Sequence, residues 1–200
     1  TITKRALTLD VAAQSKIYDG TTAADTSKFR AALAGAIAGD NVTAAVTGAT
    51  YNDKNVAAAN RIDYTGVALA GADAANYTLA ATTAQGAGTI AKRALTLDVA
   101  AQSKTYDGTT AADASKFHAT LGNVVSGEEN SVTATATGAA YNDKNVAAVS
   151  KVTYTGLTLT GTGAGNYVLN RTSLAGIGTI TRRALTLGAV AAQTKTYDGT

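Results

Sequence analysis

The stretch KRALTLDVAAQSKIYDGTTAAD, beginning at Lys4, returns as KRALTLDVAAQSKTYDGTTAAD from Lys92 and, in part, as RRALTLGAVAAQTKTYDGT from Arg182. Repetition on this scale constrains the fold before any single motif does. Tyr18 and Tyr106 lie 88 residues apart, and Tyr106 and Tyr197 lie 91 apart, because Gly188 and Ala189 stand where the second copy has Asp98 alone. Between Phe117 and Tyr141 the second copy reads GEENSV against GDNV, so the offset becomes 90 for Tyr51/Tyr141, Tyr64/Tyr154 and Tyr77/Tyr167. Insertions of this kind belong in loops. A period of about 90 residues is too long for a solenoid unit and enough for an independent small domain. The expected organisation is therefore a string of domains: 1–3 as the end of a preceding repeat, 4–91 and 92–181 as two complete repeats, and 182–200 as the start of a third. Both ends read as cuts through a longer array.

Within one unit, Leu7, Leu9 and Val11 alternate with Thr8 and Asp10, and Leu95, Leu97 and Val99 repeat the pattern, the period-2 mark of a strand with one buried face. Further strands are expected at Val42 to Val46, Ile62 to Leu69 and Tyr77 to Ala81, separated by Gly48, by Asn52 to Asn55 and by Gly71 to Asn76. Asp19-Gly20 and Asp107-Gly108 supply the residues a tight turn needs. The fold class is therefore all-β. One stretch reads differently: Phe29, Leu33 and Ile37 are spaced four apart behind Asp25, Thr26 and Ser27, which allows a short helix or an irregular crossing between Ala24 and Ala38. The junction from Gly88-Thr89-Ile90 to Leu95-Thr96-Leu97 has no Pro, Ser/Gly run or acidic spacer, unlike a flexible linker. Ile90 and the leucines fall on opposite faces of one continuous strand, as suits a strand leaving one core and entering the next.

Cysteine, Met, Trp and Pro are all absent, and only 16% of the residues are charged. Disulfides, thiolate chemistry and zinc ribbons are thereby excluded. No apolar run approaches the length of a membrane-spanning helix and no leader pattern occurs, so neither membrane insertion nor a signal peptide is expected within these residues. The net charge of +3 comes from 17 basic residues scattered against 14 acidic ones. That is no polybasic patch, and nucleic acid is not an expected partner.

Three motifs occur in fixed order in both complete copies: YDGTTAA (Tyr18 to Ala24, Tyr106 to Ala112), YNDKNVAA (Tyr51 to Ala58, Tyr141 to Ala148), and GADAANYTL or GTGAGNYVL (Gly71 to Leu79, Gly161 to Leu169). Together they resemble the YDG-type repeats of filamentous-haemagglutinin-like bacterial adhesins. The resemblance covers nearly the whole chain. It implies a Gram-negative exoprotein exported by the two-partner route to the cell surface, with no catalytic residues in the repeats. The third motif also resembles the tyrosine corner of immunoglobulin-like sandwiches, where a Tyr at the start of a late strand bonds back across a loop. Tyr77 and Tyr167 would be those residues, after Asn76 and Asn166. Tandem Ig-like sandwiches of about 90 residues joined end to end are the expected architecture, with β-grasp units carrying one short helix as the alternative.

The chemistry-bearing residues read as structural. All nine Tyr and both Phe sit at repeat-equivalent positions, as core and turn residues would. An aromatic sugar-binding platform is the competing reading, in a chain without Trp. His118 aligns with Arg30 and has no second His or Cys to work with, so neither a catalytic nor a metal site is expected. The recurring Asp19, Asp25 and Asp53, with Asp107, Asp113 and Asp143, raise calcium, which needs six to eight oxygens. Asp63, Asp73 and Asp98 are replaced by Thr153, Gly163 and Gly188 in later copies and no DxDxDG string occurs, which favours turn-forming Asp bonded to its own backbone. The Asn-x-Thr triplets at Asn41, Asn76 and Asn170 are not equivalent, and an isopeptide through Lys54-Asn55 or Lys144-Asn145 is sterically excluded between neighbours. No cofactor is implied. The site residues expected to matter are structural: Tyr18, Asp19, Gly20, Tyr106, Asp107, Gly108, Asn76, Tyr77, Asn166 and Tyr167. The expected function is a stalk that projects a distal adhesive region from the cell, partnered by adjacent repeats. The alternative is repeats that themselves bind host glycan, biofilm polysaccharide or neighbouring adhesin chains.

Overall fold

A computed structural model describes residues 1–199. The first repeat contains nine strands: β1 (Arg5–Val11), β2 (Gln14–Ile17), β3 (Ala31–Ala34), β4 (Thr43–Ala45), β5 (Gly48–Tyr51), β6 (Arg61–Thr65), β7 (Ala68–Ala70), β8 (Tyr77–Leu79) and β9 (Thr83–Ala91). The second repeats them in order: β10 (Arg93–Val99), β11 (Gln102–Thr105), β12 (Ala119–Gly122), β13 (Thr133–Thr135), β14 (Gly138–Tyr141), β15 (Lys151–Thr155), β16 (Thr158–Thr160), β17 (Tyr167–Leu169) and β18 (Ser173–Thr181). Each repeat has a sheet in the order β3-β1-β8 and a sheet in the order β2-β9-β6-β5, with the short pair β4-β7 beside them. The pairings β1/β8 and β2/β9 are parallel and the rest antiparallel. The chain is thus an all-β tandem repeat.

Alternation dictates which side chains enter the core. In β6, Ile62 and Tyr64 are buried while Arg61 and Thr65 face solvent. In β1, Leu7 is buried, Leu9 and Val11 are half-buried, and Thr8 and Asp10 point away. Side chains from both larger sheets therefore meet in one apolar cluster that includes Tyr18, Phe29, Tyr51, Ile62, Tyr64 and Ile90, with Leu9 and Val11 packed against it. Phe29 meets Tyr64 edge-on at 4.9 Å, and Phe117 meets Tyr154 at the same separation in the second repeat.

Three expectations are corrected. The stretch from Ala24 to Ala38 holds a single 3-10 turn, Thr26–Lys28, followed by β3, which pairs antiparallel with β1 from Thr8↔Ala34 to Val11↔Ala31. Asp25 does cap that turn, through Ser27 N–H to Asp25 Oδ1 at 2.9 Å. The four-residue spacing loses because β1 offers an open edge whose backbone groups need partners, and Ala31 and Leu33 bury one side as strand residues. With no α-helix among the described residues, the β-grasp alternative falls as well. Secondly, Ile62 to Leu69 is two strands, broken where Gly66 turns the chain at φ 61°. Thirdly, Gly48 begins a strand instead of separating two.

Candidate functional site

The residues in the three motifs converge where the repeats meet. β9 ends at Ala91 and β10 starts at Arg93, so one residue separates the last strand of one repeat from the first of the next. Ile90 is buried in the first repeat and Leu95 in the second, and both belong to a single apolar cluster that also takes in Val132 and Tyr167. The core is continuous across the junction.

On the first repeat, the Tyr-Asp-Gly turn and the Asn-Asp-Lys-Asn-Val loop form one end. Gly20 adopts φ 79°, which favours glycine, and Thr21 N–H and Oγ1–H both donate to Asp19 Oδ1 at 2.9 Å. Lys16 Nζ fills the inside of the turn, donating to Asp19 Oδ1 at 2.7 Å and to the carbonyls of Thr21 and Ala23 at 2.9 Å, above the Tyr51 ring at 5.3 Å. Lys104 repeats this cradle with Asp107, Thr109, Ala111 and Tyr141. Lys104, followed by Thr109, holds the Asp107 carboxyl down at about 2. The ammonium stands where a cation would otherwise be wanted. Asp25, Asp53, Asp113 and Asp143 likewise accept from the backbone N–H two residues ahead. Among the described residues no three His, Cys, Asp or Glu side chains group as metal ligands.

On the second repeat, the receiving face is made by the Asn166-Tyr167 corner and the loop carrying Val125 and Glu128. Tyr167 accepts from Val125 N–H at 3.2 Å and donates to Glu128 Oε2 at 2.7 Å. Tyr77 does the same in the first repeat, accepting from Ile37 N–H at 3.0 Å and donating to Asp40. The two corner tyrosines are buried, as the resemblance to a tyrosine corner implies. Their partner, however, is a loop some forty residues upstream instead of the adjacent turn.

These two ends dock. Tyr18, 1% exposed, donates to Glu128 Oε1 at 2.7 Å and meets Tyr167 edge-on at 5.4 Å. Lys54 Nζ reaches the same carboxylate oxygen at 3.2 Å. Asn166 bridges the loop, its Oδ1 accepting from Val56 N–H and its Nδ2 donating to Asn55 Oδ1, each at 2.9 Å. Arg93 closes the side, donating to the carbonyls of Asn123 at 2.7 Å and Tyr18 at 3.5 Å. A Cβ on Gly20 would lie 2.8 Å from Val125 Cγ1, so the close approach also requires glycine. Burial, and then the Glu128 carboxylate, push the Tyr18 hydroxyl well above the usual phenol range and raise that of Tyr167 as well. Burial alone would raise Glu128, but the bonds from Tyr18, Tyr167 and Lys54 outweigh it and hold the carboxyl below its ordinary value. Chemically, the arrangement is a charge-assisted lock in a low-dielectric seam, suited to holding two bodies in register.

Of the expected site residues, Tyr18, Gly20, Asn166 and Tyr167 come together across the joint, with Asp19 shaping the turn that carries Tyr18 and Gly20, whereas the Tyr77 corner lies at the other end of the first repeat. Tyr106, Asp107 and Gly108 form the corresponding turn of the second repeat, where Tyr106 is half-buried. Asn76 lies exposed beside Tyr77. Lys54, Asn55 and Val56 belong to the Tyr51–Ala58 motif without a role assigned to them by sequence, and Glu128, Lys16 and Lys104 were not singled out, although the Lys-x-Tyr-Asp-Gly spacing recurs at Lys195, which pairs with Asp198 at 3.0 Å. His118 stays apart from all of this and contributes its carbonyl to Ala100 N–H at 3.1 Å.

The fold and the joint define a class: tandem all-β repeats locked to one another by their own motif residues. The YDG domain profile matches residues 3–84 and 91–174, and the chain belongs to that family. No curated protein and no solved structure matches the chain. No helix among the described residues is long and apolar enough to cross a membrane.

Proposed function

We propose that these repeats are the stalk of a large bacterial surface adhesin of the filamentous-haemagglutinin-like kind, exported to the cell surface to carry a distal adhesive region. The observation that supports this reading is the joint itself. Motif residues that could have formed a ligand site on a free surface are spent on the neighbouring repeat, with Tyr18, Asn55, Asn166 and Tyr167 bonded or packed across the seam. A one-residue connection between strands, a shared apolar cluster and a carboxylate holding three donors resist bending in a way a polar linker does not. Each repeat adds a fixed length, on the order of 30–40 Å for a strand-built unit of this size.

Repeat number should then matter more than repeat sequence. Deleting Lys92 to Thr181 from the full-length protein joins Ala91 to Arg182 at equivalent ends of β9 and β18. The shortened protein should still be displayed and adhesive, with its reach reduced by one repeat in electron micrographs. Loss of adhesion after this single deletion, with display intact, or saturable binding of a glycan by the 200-residue chain, would overturn the stalk reading.

A further inference from the structure

We propose that Lys16 and Lys104 guard the Asp-Gly bonds of their turns against succinimide formation, so that each turn is a backbone-modification site held unreactive by its own lysine. The three Asp-Gly pairs of the chain, at Asp19, Asp107 and Asp198, each lie three residues after a lysine, and none of the other aspartates precedes glycine. Asp-Gly is the dipeptide most prone to this rearrangement, because glycine has no side chain to hinder attack by its own nitrogen. The turn cannot dispense with it: Gly20 and Gly108 stand at φ 79° and 81°, where a side chain is strained. In the step to be prevented, the Gly108 nitrogen attacks Cγ of the protonated Asp107 carboxyl. A C–N bond forms, and the carboxyl hydroxyl leaves with the amide hydrogen as water. Water then opens the succinimide at either carbonyl, giving back aspartate or leaving isoaspartate, whose backbone is one carbon longer.

The reaction needs a protonated carboxyl and a side chain free to bring Cγ onto the next nitrogen, and the turn denies both. Asp107 Oδ1 accepts from Lys104 Nζ at 2.8 Å, from Thr109 N–H at 2.9 Å and from Thr109 Oγ1–H at 3.0 Å, so Cγ turns only by giving up three bonds. Lys104 Nζ is fixed in its turn by the carbonyls of Thr109 and Ala111 at 2.9 and 2.8 Å. An ionised carboxylate has no hydroxyl to lose as water, and the same donors keep Asp107 ionised. The Asp107 side chain is 51% exposed, so it is these contacts and not exclusion of solvent that protect it. Asp19 is held alike, by Lys16 Nζ at 2.7 Å and by both Thr21 donors at 2.9 Å. There an added backbone carbon would also displace Tyr18 from Glu128 and open the joint.

The inference rests on the chemistry of the turn and not on the adhesin reading, so either can fail alone. Isoaspartate counted at each position by electron-transfer mass spectrometry, after incubation of the whole chain, tests it. At about pH 6, Lys104→Met keeps an apolar stem without the charge and should raise the rate at Asp107 about tenfold or more, leaving that at Asp19 unchanged. Lys16→Met should do the reverse. The ratio of the Lys104→Met rate to wild type should shrink as the pH falls from about 6 to about 3. The freed carboxyl is then already protonated through its ordinary 3.8, while the wild-type one, held at about 2, is still gaining its proton. Loosening of the turn alone would give a ratio independent of pH. No rise at Asp107, an equal rise at both aspartates, or a ratio constant with pH would overturn the proposal.

Discussion

Asn166 and Asn76 occupy the same place in successive repeats, yet the first is 6% exposed with both amide groups bonded and the second lies open to solvent. Around them the corner is the same: a buried tyrosine, a backbone N–H donated to its oxygen, and a carboxylate receiving its proton. The contrast separates two roles that one motif performs. The tyrosine corner belongs to the repeat and is built whether or not a neighbour is present. The asparagine and the second carboxylate oxygen belong to the joint and are satisfied only by the preceding repeat.

The sharpest way to break this comparison is to remove the corner tyrosines. Tyr167→Ala should cost about 3–5 kcal/mol, the range for a buried aromatic. Tyr77→Ala should cost less, because Tyr167 also loses its contact with Tyr18 across the seam. Denaturant titration with the two repeats followed separately by amide NMR signals would check the order, and equal losses would show that the seam contributes nothing.

A smaller effect isolates the lock. Glu128→Gln replaces charge-assisted acceptors by neutral ones and should weaken the joint by about 1.5–3 kcal/mol. Acid should reproduce it. The folded-state value of Glu128 lies below the ordinary 4.5, so its contribution is complete above that pH and disappears as the pH falls through the folded value. Amide exchange at Val56 and the shifts of Asn166 should therefore respond to acid once the pH falls below the ordinary glutamate value of 4.5 in the wild-type chain and not in Glu128→Gln.

Smallest of all is the difference between two hydroxyls. Tyr167→Phe loses hydrogen bonds to Val125 and Glu128 and should cost about 1 kcal/mol or somewhat more. Tyr51→Phe should be neutral or slightly stabilising, since the Tyr51 hydroxyl is buried without a partner among the described residues, as is that of Tyr141. Thermal melts of the two variants decide it.

Much of this was legible in the sequence and some was not, for physical reasons. The alternation in Leu7 to Val11, the Asp19-Gly20 turn and the burial of Tyr77 and Tyr167 depend on local pattern, and each is present as expected. The Asp residues bond to their own turns, as replacement of their neighbours between copies implied. The stretch behind Asp25 misled because apolar spacing in an Ala-rich segment fits both periods, and only the unfilled edge of β1 decides between them. A short, ordered junction was expected from the lack of linker residues around Ile90 and Leu95, but the pairings that lock it were not: Tyr18 and Glu128 are 110 residues apart, as are Val56 and Asn166. No periodicity reports such a pairing. The available signal was weaker, namely that YDGTTAA and YNDKNVAA are identical in both copies although they sit largely in loops that the fold alone leaves free to vary.

The central claim is that the two repeats behave as one body because the motif residues lock them. Residual dipolar couplings measured on the 200-residue chain address it directly. A single alignment tensor should fit the amides of β1 to β9 and of β10 to β18 together, and Glu128→Ala combined with Asn166→Ala should split it into two. Separate tensors in the wild-type chain, with one repeat more weakly aligned than the other, would contradict the account.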